Sequence, residues 1–208
     1  MQLNISLYTF GFILLIGLLI GRTVCGYLCP FGLIQELMFK LPTPKFNLPP
    51  RASLIKYFVL LVFVIALPIV WTNYAGLGAP AFCEFICPAG TLEAGLPMVI
   101  THSEFRSVLG SLFALKVIVL LIVLIGSITI ERFYCRVLCP LGALYGLLNR
   151  ISIRRLNFDG GKCIACGRCS TACPMSIEPT VDQNSIECVR CGRCTTVCPK
   201  RALEFKND

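Results

Sequence analysis

Eight cysteines near the C-terminal end of the chain follow one pattern, given twice. The first copy occupies residues 163–174 and the second residues 188–199, and both read C-x-x-C-x-x-C-x-x-x-C-P. Three thiolates two residues apart can wrap one face of a four-iron cube, and the fourth cysteine, before a proline, can reach the other cube. The pattern therefore predicts two [4Fe–4S] clusters that exchange their fourth ligands. The predicted ligands are Cys163, Cys166, Cys169 and Cys198 for cluster 1, and Cys188, Cys191, Cys194 and Cys173 for cluster 2.

Zinc and disulfides explain these eight cysteines less well. Zinc needs four ligands, not eight at a doubled spacing. Disulfides need an oxidising compartment, and two dense runs of this kind make poor disulfide partners. The spacing is that of a two-cluster bacterial ferredoxin, so we expect a small α+β ferredoxin domain through which electrons pass. Gly167 and Gly192 fall where the chain must bend tightly beside a cofactor.

The remainder of the chain is too apolar for an ordinary soluble domain. Of 208 residues, 56% are hydrophobic and 14% are charged, and the mean hydropathy is +0.77, whereas about a quarter of the residues of a soluble domain are charged. Three apolar runs, at residues 3–21, 52–71 and 108–130, approach the roughly 20 residues that a helix needs to cross a bilayer. We expect an α-helical integral membrane protein with three transmembrane helices. The first run lacks the basic segment of a signal peptide and is expected to be retained, and Trp71 is placed like an interface anchor.

The distribution of charge predicts how these helices are oriented. Basic residues predominate after the first and third runs, whereas residues 72–107 contain one basic residue against three acids. The positive-inside rule then places residues 21–56 and everything after Glu131 in the cytoplasm. We expect a multi-pass protein of the cytoplasmic membrane, with a transmembrane domain at 1–156, a flexible join at 157–162 and a cytoplasmic ferredoxin domain at 157–208. Arginines at membrane flanks give no case for nucleic acid.

A second cysteine motif, C-x-x-x-C-P-x-G, follows each apolar run. Its copies begin at Cys25, Cys83 and Cys135, at intervals of 58 and 52 residues. On a helix such a pair places two thiols on one face, about 5–6 Å apart, and the proline can open the next helix. The first and third runs both end on the cytoplasmic side, so we expect their cysteines to hold a third [4Fe–4S] cluster; zinc and reduced core cysteines are the alternatives. The predicted ligands of this membrane cluster are Cys25, Cys29, Cys135 and Cys139.

The remaining pair, Cys83 and Cys87, is expected alone at the outer face. It can form a redox-active dithiol or disulfide, a site completed by a partner, or a cluster shared across the axis of a homodimer. Alternatively, the pair can lie nearer the cytoplasmic side if residues 72–107 dip into the membrane, because Gly76, Gly78 and Gly90 permit sharp turns. We favour the shared cluster, because the motif matches its two siblings.

On these motifs the sequence resembles the membrane polyferredoxins of the NapH and NosR type, which combine apolar spans carrying CxxxCP motifs with a C-terminal pair of CxxCxxCxxxCP runs. The resemblance covers residues 25–199. It implies membrane electron transfer that links a cytoplasmic or quinol donor to acceptors outside, often in anaerobic respiration. This sequence departs from the family in having three CxxxCP motifs instead of two, three apolar runs instead of four or more, and no flavin domain of its own, so any flavin is expected on a partner.

We therefore expect an electron-transfer subunit of an oxidoreductase complex, with a ferredoxin-like cytoplasmic donor and a membrane or extracytoplasmic acceptor such as a flavoprotein. No Ser/His/Asp set, P-loop or GxGxxG suggests bond chemistry. One alternative is a quinone-linked oxidoreductase, with Lys116, Glu131 or Tyr134 near the quinone. Another is a redox sensor or metal-centre assembly factor. We expect no covalent flavin, and no haem, because His102 is the only histidine.

Overall fold

Helices form in each of the three apolar runs. In the computed structural model, which describes residues 2–70, 81–102 and 110–207, α1 spans Gln2–Ile20 and α9 spans Ser111–Thr129. The middle run is helical as α4 (Leu54–Val59), a π-helical stretch (Leu60–Ala66) and α5 (Leu67–Val70). Unbroken runs of apolar residues without a central proline favour such helices. Trp71, Gly76 and Gly78, which entered the sequence argument, lie outside the described residues.

Membrane crossing is supported most directly for α9. Among the described residues, α9 is the one helix that is both long and apolar enough to cross a membrane, and Gly11–Ile20 and Leu54–Ala66 are shorter apolar helices. Large apolar side chains of α9 face outward, including Ile122 and Ile125, which are 58% and 64% exposed. The predicted helices are thus present, whereas three membrane crossings stay a prediction.

The described chain divides into two compact units. The first contains Met1–Leu33 and Leu141–Asp208, and the second contains Ile34–Pro140. The predicted linear boundary between residues 156 and 157 falls inside strand β1 (Arg154–Phe158). The predicted flexible join is therefore corrected at its start, because the backbone of Asn157 and Phe158 is held in a sheet.

The first unit joins helices to a small ferredoxin sheet. Strand β1 pairs antiparallel with β2 (Leu203–Asn207), with Leu156 opposite Phe205. Leu156, Leu203 and Cys194 form a buried cluster on this sheet. The short helices in the unit are α2 (Thr23–Tyr27), α11 (Pro140–Leu148), α12 (Arg168–Thr171) and α13 (Arg193–Thr196), and α3 (Pro30–Phe39) begins in this unit and continues in the second.

The second unit is organised along α9. Lys45 lies at the C-terminal ends of two helices: its ammonium group donates to the carbonyls of Leu41 and Ile128, at 2.7 and 3.1 Å. The proline-rich segment around Lys45 is not helical, and the lysine cation suits the negative ends of helices. The short helices in this unit are α6 (Ala81–Phe85), α7 (Pro88–Gly90), a π-helical stretch (Thr91–Gly95), α8 (Leu96–Thr101) and α10 (Phe133–Val137).

Gly21, at the end of α1, provides a test of the first unit. Its φ is +61°, and a Cβ there would lie 2.5 Å from Oδ1 of Asn149 and 3.1 Å from Oγ of Ser152. We expect Gly21→Ala to lower the free energy of unfolding by about 1–3 kcal/mol through backbone strain and overlap. Gly11→Ala is the control, since a Cβ at Gly11 meets nothing within 4 Å. Thermal unfolding of the purified protein checks this, and equal midpoints for the two variants would contradict it.

Candidate iron–sulfur centres

The two ferredoxin loops have the same backbone. Left-handed residues stand two and four positions after the first cysteine of each loop, and again three positions after the last. Non-glycine residues cost roughly 1–2 kcal/mol in this conformation, and such strain concentrates at functional sites. The matched bends curl each loop to one side. The left-handed residues are Ala165, Gly167 and Ser176 in the first loop, and Arg190, Gly192 and Arg201 in the second.

Each predicted ligand set lines one cavity. The fourth cysteine of each loop faces the cavity of the other loop: Cys198 faces the cavity of the first loop, and Cys173 faces that of the second. Backbone amides point at sulfur, because Ala165 N–H donates to Sγ of Cys163 at 3.4 Å and Ala202 N–H donates to Sγ of Cys198 at 3.3 Å. Four thiols around one cavity, with N–H groups directed at the sulfurs, fit a [4Fe–4S] cluster. The cavity of cluster 1 is lined by Cys163, Cys166, Cys169 and Cys198, and that of cluster 2 by Cys173, Cys188, Cys191 and Cys194.

The two cavities differ in their shielding from water. Burial, together with the neighbouring thiols of Cys188, Cys191 and Cys173, raises the pKa of Cys194 to about 12. At Cys198 the N–H of Ala202 has the largest effect and lowers the pKa of the thiol. Cluster ligands must be thiolates, so a bound cation is needed to deprotonate the buried site. Cys166 of the first set is exposed, and the centre nearer solvent is therefore that of cluster 1.

Arg190 is a functional candidate that the sequence argument missed. It is 1% exposed, and it donates to Oγ of Ser152 at 2.5 Å and to the carbonyl of Asn149 at 2.7 Å. Its backbone N–H and its charge both lower the pKa of Cys188, although burial, the largest effect, raises it. Burial also lowers the pKa of Arg190 itself to about 10, so the guanidinium stays charged at neutral pH. No spacing rule distinguishes this arginine from an exposed residue between two cysteines.

The three CxxxCP motifs share one local structure. In each, the first cysteine is the third residue of a five-residue helix, and the helix ends two residues before the second cysteine. The N–H groups of the second cysteine and of the residue before it both donate to the carbonyl of the residue that precedes the first cysteine, at 2.9–3.1 Å. The proline then starts the next helix, as predicted. The accepting carbonyls are those of Val24, Phe82 and Tyr134.

This geometry corrects the expectation of two thiols on one helix face. The second cysteine of each motif lies between two helices, because the doubled hydrogen bond closes the first helix before reaching it. At Cys87 the freed side chain caps the following turn, where Gly90 N–H donates to its Sγ at 3.4 Å. The two cysteines of each motif therefore bracket a turn and do not share one helix face.

The first CxxxCP motif packs against the loop of cluster 2. The Tyr27 hydroxyl donates to the carbonyl of Cys191 at 2.6 Å, and a Cβ at Gly26 would lie 2.8 Å from the carbonyl oxygen of Val189. Arg22, which is fully buried, donates to the carbonyl of Ile186 at 2.8 Å. Only glycine at position 26 permits this approach.

Arg22 also belongs to a repeat that the sequence argument overlooked. Arg22 and Arg132 each stand three residues before the first cysteine of a motif, and both are buried and paired with a carboxylate. Arg22 meets Glu187 at 3.3 Å and Arg132 meets Glu36 at 3.1 Å. An R-x-x-C-x-x-x-C-P pattern in copies one and three would have revealed both.

The second and third motifs lie together in the second unit. The Tyr134 hydroxyl lies within hydrogen-bonding reach of the Cys87 thiol and close to Cys135 and Cys139; burial is the largest cause of its raised pKa. The expectation that the Cys83/Cys87 pair stands alone is thus wrong. Tyr134 itself is 5% exposed. Among the described residues, no three Cys, His, Asp or Glu side chains are spaced to hold a single metal ion.

The predicted membrane cluster draws its ligands from both units. Cys25 and Cys29 belong to the first unit, and Cys135 and Cys139 belong to the second. That set of four stays a prediction.

Comparison with known families agrees with both kinds of motif. A 4Fe-4S binding domain model matches residues 5–49, 57–96 and 112–159, with one CxxxCP motif in each segment. A second 4Fe-4S binding domain model matches residues 156–177 and 183–204. The chain belongs to the NapH/NosR-type 4Fe-4S ferredoxin proteins. The function of the chain is iron–sulfur electron transfer, since both kinds of domain bind [4Fe–4S] clusters.

Relatives of this polyferredoxin are longer than the chain. An uncharacterized protein of Methanocaldococcus jannaschii is 32% identical over 203 residues, which cover 93% of this chain and 75% of that protein. The methylamine utilization ferredoxin-type protein MauN of Paracoccus denitrificans is 30% identical, over 78% of this chain and 50% of MauN. The regulatory protein NosR of Pseudomonas aeruginosa is 31% identical, over 77% of this chain and 21% of NosR. No solved structure is significantly similar to the chain.

The charge of Arg190 leads to a prediction about the cluster 2 centre. Arg190→Met removes a buried cation beside Cys188, so we expect the reduction potential of that centre to fall by on the order of 50 mV, nearly tenfold in the equilibrium of a one-electron transfer. Redox titration followed by electron paramagnetic resonance measures this, and the cluster 1 centre provides an internal reference. Arg190→Lys and the exposed Arg168→Met are the controls that should move the potential less. An unchanged potential in Arg190→Met would remove Arg190 from the account.

Proposed function

We propose that the protein is a membrane-bound electron-transfer subunit that carries electrons from a low-potential cytoplasmic donor to a membrane or extracytoplasmic acceptor. One observation carries the proposal: the first CxxxCP motif touches the loop of cluster 2 directly, through Tyr27 and Gly26. When bound, the clusters supply one-electron redox centres. The chain's own residues hold those centres. They also place the loop of cluster 2 against the first CxxxCP motif, which follows the apolar helix α1.

Charge and exposure favour the first ferredoxin loop as the place where electrons enter. Lys162, Arg168 and Lys200 line the same cavity as the cluster 1 cysteines, against one acid, Glu178. Lys162 is paired with Asp159 at 3.2 Å, and Cys166 is exposed there. A cationic rim steers an acidic redox protein toward this loop and weakens with salt. A ferredoxin-like donor fits this surface.

The exchanged cysteines favour passage between the two halves. Cys173 leaves the first loop to face the second cavity, and Cys198 does the reverse. Each half of the ferredoxin domain therefore contributes cysteines to both cavities. This exchange holds the two cluster centres close together. From the second loop, the contact at Cys191 leads to the motif of Cys25 and Cys29.

Membrane attachment is proposed from the apolar helices. The outward apolar side chains of α9 suit a lipid environment, and the charge pattern favours a cytoplasmic ferredoxin domain. We infer a multi-pass protein whose partners are membrane lipid, a cytoplasmic donor and an outer redox partner, such as a flavoprotein in an anaerobic respiratory chain. A homodimer remains compatible with the proposal.

A redox-sensing role is the second candidate function. One relative, NosR, is a regulatory protein by name, which supports this role. In that case the clusters report a redox state and sustain little flux. Fast turnover between a donor and an acceptor distinguishes electron transfer from sensing.

The contact at Gly26 leads to a test in vesicles. The full chain is reconstituted without oxygen, with reduced ferredoxin outside and an impermeant redox dye inside. We expect the wild-type protein to reduce the dye. In Gly26→Ala the rate of dye reduction should be several-fold lower, because the added methyl group pushes α2 away from Val189. Tyr27→Phe should slow it less, since the packing remains.

Gly11→Ala is the matched control, and bleaching of the ferredoxin clusters verifies that the donor still reduces each variant. Wild-type rates in Gly26→Ala would contradict the proposed exit through the first motif. Cluster bleaching in wild type without any dye reduction would favour the sensor.

A further inference from the structure

We propose that the second and third CxxxCP motifs together hold one iron–sulfur cluster within the second unit. The inference deepens the proposed function by naming the centre beyond the ferredoxin domain, but its test counts iron and does not require electron flow. Tyr134 and Gln35 supply side-chain hydrogen bonds to its sulfurs. The four thiolate ligands are those of Cys83, Cys87, Cys135 and Cys139.

Helix α9 brings the two motifs together. The helices α6 and α7, which flank Cys87, and α10, which contains Cys135, all pack against α9. Motifs separated by 52 residues in sequence are therefore neighbours in the fold. The pairing does not depend on a second chain, unlike the cluster shared across a homodimer that the sequence suggested.

The Tyr134 side chain links the motifs at the level of atoms. It precedes Cys135 in α10, and its hydroxyl reaches the thiol of Cys87 in the other motif. The thiols of Cys135 and Cys139 also lie within electrostatic range of this hydroxyl. Cys83 lies within hydrogen-bonding reach of Cys87, so the second motif meets the third through Cys87 and Tyr134.

Gln35 provides a second, independent donor. Its side chain is fully buried, and its Oε1 accepts from the Tyr134 N–H at 2.9 Å. The Ser127 hydroxyl lies 3.4 Å from the same oxygen but has a closer acceptor in the Val123 carbonyl, at 2.7 Å. The bond from Tyr134 orients the amide so that its Nε2 faces Sγ of Cys135 at 3.5 Å. A neutral thiol is a weak acceptor, and burying an amide donor against it gains little.

Donors aimed at sulfur suit thiolates bound to iron. The Tyr134 hydroxyl and the Gly90 N–H both face Cys87, the latter at 3.4 Å, and Gln35 faces Cys135. Hydrogen bonds of this kind stabilise the charge on cluster sulfurs and raise the reduction potential. A structural pair of reduced thiols has no use for three such donors.

Cations in the same unit offset the negative charge of such a cluster. Lys116 of α9 lies close enough to Cys83 to oppose the effects of burial and of Cys87, which raise the pKa of that thiol. Arg136 stands between the two cysteines of the third motif and is 5% exposed. Four thiolates with iron and sulfide carry net negative charge, so the Lys116 cation near Cys83 lowers the cost of burying such a cluster.

Iron content of matched variants tests the proposal. On the full chain purified without oxygen, we expect about 12 iron atoms for wild type, from two ferredoxin clusters and this third [4Fe–4S] cluster. Cys87→Ala should reduce the count to about 8. Cys29→Ala, at the equivalent position of the first motif, should leave it unchanged.

The opposite pattern, loss in Cys29→Ala and retention in Cys87→Ala, would establish the pairing of the first and third motifs and overturn this one. About 8 iron atoms in wild type would mean a dithiol at Cys83 and Cys87 and would overturn it as well. Retention of the ferredoxin iron verifies that each variant is folded.

A second variant keeps all four cysteines. Tyr134→Phe removes only the hydroxyl that reaches Cys87, so the third cluster should remain and its reduction potential should fall. Tyr145→Phe is the control, because Tyr145 is equally buried but lies near Cys25 in the first unit. Redox titration followed by electron paramagnetic resonance gives the potentials. A potential unchanged by Tyr134→Phe, or changed equally by Tyr145→Phe, would contradict the site.

Discussion

The absence of a side chain at Gly26 sets how closely a membrane motif can approach a ferredoxin loop. A Cβ there would come within 2.8 Å of the Val189 carbonyl oxygen, which is closer than two such atoms pack. Around this contact, Tyr27 binds the Cys191 carbonyl and Arg22 binds the Ile186 carbonyl. The ferredoxin part and the first CxxxCP motif therefore form one unit, and the sequence boundary between them has no counterpart in the fold.

Buried cations accompany the cysteine sites in both units. Arg22, Arg132 and Arg190 are at most 1% exposed, and burial of a charge is costly unless partners offset it. Carboxylates and backbone carbonyls offset part of that cost here. Centres that gain an electron become more negative, so fixed positive charge beside them favours reduction. Of the three arginines, Arg190 acts directly on a predicted ligand, because its charge lowers the pKa of Cys188 against the larger effect of burial.

Spacing rules predicted the local features of the sites. The doubled CxxCxxCxxxCP run predicts which cysteines face which cavity, because the exchange of the fourth ligand is built into a short loop. The helix starts at Pro30, Pro88 and Pro140 also follow from sequence, since proline is preorganised for the first turn. Apolar runs likewise predict the long helices.

Features that depend on tertiary packing were not predictable in this way. The meeting of Cys87 with Tyr134 depends on how α7 and α10 pack on α9, and charge rules carry no information about it. Gln35 contacts Tyr134 and Cys135 about a hundred positions away in sequence. The one-face prediction for CxxxC failed for a local reason: two N–H groups share one carbonyl and end the helix before the second cysteine.

Mössbauer spectroscopy of iron-57-enriched protein, before and after reduction by ferredoxin, tests the central claim most directly. The account predicts that about one third of the iron lies in a [4Fe–4S] centre outside the ferredoxin domain, and that this centre is reduced along with the other two. A spectrum of two clusters alone, or a third centre that stays oxidised while the ferredoxin clusters are reduced, would contradict an electron path from the ferredoxin domain into the membrane motifs.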